Sequence, residues 1–241
     1  MAKRKSKFKQ FIRRLPKIVL KIILGFIIVS IFVVLLLKWL NPITSSIMIQ
    51  RKIEAVVTFK ERQIIAYQWF SYDDIAKQMA LAVVAAEDQN FPNHFGFDFE
   101  QIEKAIEQHN RGRKLRGAST ITQQVAKNLF LWEGRSFIRK GFEAYFTVLI
   151  ELLWSKERIL EVYLNIIETG DMIFGVGAAS QIYFKKLPSK LNRSQAALIA
   201  STIPNPNRFS VKRPSGYVLR RQGWILGQMR SLGGVEYLKN L

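Results

Sequence analysis

Cysteine is missing from the 241 residues, so disulfides contribute nothing to the fold and the redox compartment is left open. Histidine is nearly missing. His94 and His109 are too few and too far apart for a metal cage, and no His-Glu-x-x-His pattern is present. There is no P-loop, no dinucleotide fingerprint, no internal repeat and no low-complexity domain, which removes the common nucleotide-dependent and solenoid classes. Acidic residues are also missing from one region: none precedes Glu54, whereas twelve Lys and Arg do. From Glu54 onward there are 25 basic and 18 acidic residues, so the formal net charge of +19 falls to +7 outside that stretch. The basicity belongs largely to a tail rather than to a nucleic-acid-binding surface.

What is present begins with a membrane signature. The basic tail, including Lys3, Arg4, Lys5, Arg13, Arg14 and Lys17, abuts an apolar run from Ile18 to Leu37 broken only by Lys21. At about 1.5 Å per residue the uncharged stretch from Ile22 to Leu37 nearly crosses a ~30 Å hydrocarbon core if Lys21 and Lys38 extend their ammonium groups to the interface. Trp39 suits the interface, and the positive-inside bias puts the N-terminus in the cytoplasm and everything after about Asn41 outside it. Cleavage as a signal peptide is the competing reading, since Thr44, Ser45 and Ser46 are small. The run exceeds the usual ~7–15 residues of a signal core and no Ala-x-Ala-like site follows, which favours a retained anchor.

The expected organisation is a basic tail at 1–17, a transmembrane helix at 18–40, a linker at 41–70 with one short extended segment, and a catalytic domain at 71–241. With 49% hydrophobic residues the chain can bury one good core, or one core and a small lobe. Helical spacing of Ile75, Met79, Ala82, Val83 and Ala86 predicts a helix that ends by delivering Glu87 and Asp88. Asp98 caps the next helix, with Ile102, Ala105 and Ile106 expected inward. Ser119 or Thr120 caps a helix through Leu129, an apolar helix runs from about Phe137 to Trp154, and Ser155 caps another containing Ile159 to Ile166. Later helices are expected near 175–183, 194–202 and 216–232, while Pro204 to Asn207 is loop. The soluble part is therefore mainly α.

Three groups of residues point to chemistry. Glu87 at the end of an apolar helix has the raised proton affinity wanted in a general base or acid, although acids at helix ends are often merely solvated or structural. Gly117 to Gln124 presents three hydroxyls and two amides entering a helix, more than a cap requires, so Ser119, Thr120 and Gln123 are candidates for holding sugar hydroxyls or an anionic group. Lys127, Arg135, Arg139 and Lys140 form a candidate basic cluster, with Glu143 four residues after Arg139 on the same helical face. Cations beside a carboxylate suit a pyrophosphate leaving group, while an Arg/Glu pair at that spacing is also an ordinary surface ion pair.

In order, Glu87-Asp88-x-x-Phe91-x-x-His94-x-Gly96, Gly117-x-Ser119-Thr120-Ile121-Thr122-Gln123-Gln124, Arg139-Lys140-x-x-Glu143 and Lys156-x-x-Ile159-Leu160-Glu161-x-Tyr163-Leu164-Asn165 resemble the four motifs of glycosyltransferase family 51, the peptidoglycan glycosyltransferases. The resemblance covers roughly Ser71 to Arg213 and is to the stand-alone, membrane-anchored members. One departure is Gly177, where family members often carry an acid.

The resemblance implies a lysozyme-like helical lobe and a small membrane-proximal lobe, preceded by one transmembrane helix. Phe130, Leu131, Trp132 and Phe137 are candidates for the membrane-facing surface or for core. Polymerisation of lipid II into β-1,4-linked glycan is the implied activity, with Glu87 as the base that deprotonates the acceptor 4-hydroxyl and Glu143 as the second essential carboxylate. Glu143 would hold the basic cluster or a divalent cation, Mg²⁺ or Mn²⁺, near the pyrophosphate, while Ser119, Thr120, Gln123, Lys127, Arg135, Arg139 and Lys140 would bind substrate. No protein-held metal site and no other cofactor are expected. Implied partners are lipid II, the growing strand, the bacterial cytoplasmic membrane, transpeptidases and other cell-wall synthesis proteins, and no nucleic acid. A transpeptidase activity is not expected, since the one Ser-x-x-Lys lies in the tail and no Lys-Thr-Gly occurs. Two other classes remain to be weighed: a lytic enzyme using the same carboxylate as an acid, and a non-enzymatic membrane scaffold, in which Glu87 would have no function.

Overall fold

The computed structural model describes residues 2–59, 64–112, 119–134 and 136–241, with side chains described from Pro16 onward except at 109 and 240. Two compact units meet in sequence at Leu40 and Asn41. The first is a single helix, α1 (Ala2–Leu36), with Pro16 inside it. Its segment Pro16–Leu36, 21 residues of mean hydropathy 3.1, is long and apolar enough to cross a membrane. Lys38 and Trp39, expected within the span, follow the helix as a turn.

The second unit is mainly helical, as expected. It contains α2 (Ser46–Val57), α3 (Lys77–Glu87), α4 (Phe99–Asn110), α5 (Ile121–Phe130), α6 (Phe137–Leu153), α7 (Lys156–Ile166), α8 (Gly175–Phe184), α9 (Arg193–Thr202) and α10 (Gly216–Ser231). Its hub is α3, in which Met79 through Ala85 are all buried. A helix apolar on every side must be surrounded, and α3 is packed by α7, α9, α10 and the C-terminal 3-10 turn. A second layer pairs α5 with α6 and α7. The boundaries follow from capping: Thr120, Ser136, Ser155, Asn192 and Ser215 each accept a hydrogen bond from a backbone N–H in the first turn of the helix they precede. Asp98 does the same for α4 through Gln101 N–H at 2.9 Å. On α4, however, Ala105 is buried while Ile106 is 53% exposed, so only part of the expected inward face is covered.

The stretch read as a linker holds more structure than one extended segment. Ser45 caps α2, which packs against α5. The missed signal is Ser45 preceding Ile47, Met48 and Ala55, the residues that α2 buries. β1 (Ala66–Tyr67) pairs parallel with β3 (Ile173–Phe174), which pairs antiparallel with β2 (Glu168–Gly170), giving the order β1-β3-β2 with Ala66 opposite Ile173. One guanidinium gathers this region. Arg51 on α2 bonds Glu54, Glu133 after α5 at 2.9 Å and Glu168 of β2 at 3.2 Å.

Gly177 has a steric explanation. A Cβ there would lie 2.5 Å from the Phe70 ring and 2.7 Å from the Gln68 carbonyl oxygen, so α8 approaches the β1 exit segment too closely for any side chain. Asn165 fixes that segment by accepting from Phe70 N–H and donating to Phe70 O, each at 2.8 Å. Of the four apolar residues in question, Leu131 is core at 3% exposure and Phe130 stacks on Phe146 at 4.4 Å, whereas Trp132 (46%) and Phe137 (98%) face outward.

Candidate active site

The first two sequence motifs are bound to each other before they reach any ligand. Asp88 is buried and accepts Ile121 N–H at 2.9 Å, placing a carboxylate at the N-terminus of α5, where the helix dipole favours it. His94 Nε2 lies 2.9 Å from the same carboxylate. Thr120 donates to the carbonyl of Gly96 at 2.6 Å and accepts Gln123 N–H, while the Gln123 side chain accepts Thr120 N–H at 3.0 Å. Gly96, at φ +77°, leaves only 2.7 Å between a hypothetical Cβ and Thr147 Cγ2. The fourth motif joins the second through Glu151, whose Oε1 accepts from Thr122 at 2.6 Å and from Lys156 at 2.8 Å. Lys156 also donates to the carbonyl of His94. Most polar motif residues are thus spent on architecture.

That architecture holds Glu87 where α3 ends. The Glu87 side chain is 12% exposed, Oε2 accepts from Gln124 Nε2 at 3.0 Å, and Oε1 accepts from Arg221 Nη2 at 3.1 Å. Burial pushes its pKa above the ordinary 4.5 and the charge of Asp88 adds to this, while Gln124 and Arg221 oppose it. The orientation of Gln124 is set by Tyr163. Burial raises the phenol pKa well above 10, so the hydroxyl stays protonated and donates to Gln124 Oε1 at 3.0 Å, leaving the amide NH₂ facing Glu87. The result is a part-buried carboxylate of increased basicity, held in one rotamer by two donors.

Glu143 is the second carboxylate, on α6 and 4% exposed. Arg139 Nη1 donates to its Oε2 at 2.8 Å and Lys140 Nζ to its Oε1, a charge-assisted pair of bonds that covers both oxygens. Lys127, on the solvent side of α5, has no ion-pair partner among the described residues. Surrounding protein draws its pKa below the ordinary lysine value; Glu143 opposes this, Arg139 assists it, and the fields of Glu133 and Glu87 also reach it.

Among the expected ligand residues, Ser119 is exposed and lines the cavity beside Glu87, as does Thr120. Gln123 is buried in the cap, and the amide that meets the carboxylate is its neighbour Gln124. Arg135 lies outside the described residues. Sequence reading missed the roles of Gln124 and Tyr163, although both stand inside the quoted motifs, and missed Arg221 altogether, since one arginine on a basic helix carries no distinguishing pattern. The cavity beside Glu87 has a volume of about 870 Å³ and is completed by α10 through Tyr217, Arg220, Arg221, Trp224 and Gln228. No cluster of three or more His, Cys, Asp or Glu suited to a metal ion occurs among the described residues.

Comparison with known proteins gives a consistent picture. The family model described as "Transglycosylase" matches residues 54–230. A protein of Pseudomonas savastanoi pv. phaseolicola named biosynthetic peptidoglycan transglycosylase is 50% identical over 223 residues, 92% of this chain and 94% of its own. Relatives bearing the same name in Chromohalobacter salexigens and Escherichia coli are 48% identical over 233 residues (97% and 99% of the two chains) and 55% identical over 196 residues (81% of each).

Proposed function

The chain belongs to the transglycosylase family, and from that premise we propose how its two carboxylates divide the work of making glycan. The enzyme is a peptidoglycan glycosyltransferase that polymerises glycan strands. Glu87 acts as general base: its ionised carboxylate, of raised basicity, takes the proton from the acceptor 4-hydroxyl as that oxygen attacks the donor anomeric carbon. The bond from that carbon to the lipid diphosphate breaks on the opposite face, so an α-linked donor becomes a β-1,4-linked product with release of undecaprenyl diphosphate. A base of matched pKa contributes about 10²–10⁴-fold, and the remainder must come from positioning and charge stabilisation.

Charge stabilisation falls to Lys127, Arg139 and Lys140, with Glu143 holding the last two in place. Arg135 belongs by sequence to the same group. Pre-placed cations at a departing diphosphate stabilise charge that develops only as the bond breaks. The residues around Glu143 do not fit a protein-held divalent cation, because both carboxylate oxygens already accept from cationic side chains. No step is assigned to a metal. Ser119 contributes its hydroxyl to the substrate, while Thr120 and Gln123 act by fixing the start of α5.

The observation that carries this division is the contrast between the two carboxylates, Glu87 held by Gln124 and Arg221 at the cavity wall and Glu143 covered on both oxygens by Arg139 and Lys140. A lytic reading of Glu87 as an acid gives the cation cluster no charge to stabilise. Pro16–Leu36 serves as a retained single-pass anchor with the basic tail in the cytoplasm and the catalytic unit on the outer face of the cytoplasmic membrane, where lipid II is the donor and transpeptidases cross-link the product. In the deciding experiment, detergent-purified parent and Glu87→Gln proteins are incubated with labelled lipid II. Muramidase-sensitive polymer from the parent alone is expected; equal polymer from both removes Glu87 as base, and glycan degradation without synthesis overturns the polymerase.

A further inference from the structure

The cavity beside Glu87 and the cation cluster around Glu143 share no lining residue. The cavity walls are Ala85 to Gln89 of α3 and the loop after it, Asp98, Gln101, the start of α5, and one face of α10, and none of Lys127, Arg139, Lys140 or Glu143 lines it. Two large aromatic residues stand on the α10 wall. Tyr217 and Trp224 are separated by seven residues, two helical turns, and so share a face. They remain 48% and 45% exposed although each is braced: Tyr217 is stacked on Phe209 with centroids 5.0 Å apart, and Trp224 lies under the guanidinium of Arg221 at 6.0 Å. The same cavity is lined by the amides of Gln89, Gln101 and Gln228.

Braced, exposed aromatic faces interleaved with amide donors and acceptors suit a pyranose. The apolar C–H face of the ring lies on the aromatic surface, and hydroxyl and acetamido groups bond the amides. The location decides which sugar this is. A base at the cavity wall takes its proton from whatever occupies the cavity, while Lys127, Arg139 and Lys140, assigned to the departing diphosphate, do not line it, and of the two arginines that do, Arg221 is paired with Glu87. Resting on the assignment of Glu87 as base, we infer that Tyr217 and Trp224 of α10 form the stacking platform of the acceptor saccharide, with its terminal pyranose seated so that the 4-hydroxyl meets Glu87.

The test separates acceptor from donor. Labelled lipid II blocked at its 4-hydroxyl can only donate, and unlabelled lipid II is supplied as acceptor; the label entering product is followed while each is varied in turn with the full-length protein in detergent. Trp224→Ala should raise the acceptor concentration for half-maximal rate by about 3–10-fold, the loss of one aromatic stack, and leave that for the donor within about twofold. Trp224→Phe, which keeps an aromatic face, should restore most of the acceptor dependence, and matching melting temperatures exclude a folding defect. Tyr217→Ala should act in the same direction. An unchanged acceptor dependence, or a rise confined to the donor, overturns the platform while leaving the polymerase intact. Product absent from the parent itself overturns the polymerase reading and the platform with it.

Discussion

Replacing Arg221 by alanine should make the enzyme fail in acid while sparing it at high pH. The guanidinium sits 3.1 Å from Glu87 Oε1, with the two side chains only 21% and 12% exposed, so bulk water screens the pair weakly. At that separation and an effective dielectric of ~20 the gross attraction is about 5 kcal/mol, of which solvent and Gln124 recover a large part. Hydrogen bonds to charged groups contribute about 1.5–3 kcal/mol net, and ~1.4 kcal/mol is tenfold in an equilibrium. The ionised fraction of Glu87 should therefore drop by roughly 10–100-fold at pH values where it is the minor form. The sign is fixed by the role: a base must be ionised, burial already raises this carboxylate above 4.5, and removing a cation raises it further. The assay is kcat/KM for lipid II across the pH range, which reports ionisations of the free enzyme. The acid limb of Arg221→Ala should move to higher pH and the profiles should converge at its alkaline end, with Arg221→Lys lying between. A loss of equal size at every pH, or none, would refute the pairing of Arg221 with a catalytic base.

Glu143→Gln removes the charge that Arg139 and Lys140 share, and polymer synthesis should fall by about 10²–10³-fold, the scale of losing pre-placed charge stabilisation, measured as initial rate with saturating lipid II. Gly177→Glu should lower stability by ~1–3 kcal/mol in denaturant titrations, because the Phe70 ring must move; an unchanged midpoint would contradict the packing. Thr120→Ala should cost about 0.5–2 kcal/mol by the same measurement through loss of the α5 cap. Chelation of divalent cations should leave the melting temperature where it was, since the carboxylate nearest the cations has no free oxygen to ligate a metal.

Helices with a polar cap and an apolar stripe were legible in the sequence to within a few residues: Asp98, Thr120 and Ser155 announce the starts of α4, α5 and α7. The segment before Tyr67 was not. α2 buries only Ile47, Met48 and Ala55, and leaves Ile49, Ile53, Val56 and Val57 exposed, so its apolar residues do not sort by local period, and β1 exists only because Ile173–Phe174 arrives beside it. At the site, Glu87 could be singled out because an acid ending an apolar helix is costly unless used, and Glu143 by its spacing from Arg139 and by the motif resemblance. Arg221 could not, because its meaning lies in a contact 134 residues away along the chain. Within the hydroxyl and amide row before α5, Thr120 and Gln123 also satisfy each other as a capping box.

The three carboxylates around Arg51 also impose an order in time. Glu54 is almost adjacent, but Glu133 and Glu168 lie 82 and 117 residues downstream, and β1 must likewise wait for β3, whose Ile173 pairs with Ala66. A chain made N-terminus first at about 5–20 residues per second leaves the arginine and the half-formed sheet without partners for on the order of ten seconds. Long-range closures of this kind slow folding. The region that gathers around Arg51 is thus begun early and closed only once β2 and β3 have emerged, and during that interval its exposed backbone edge and apolar α2 face need protection.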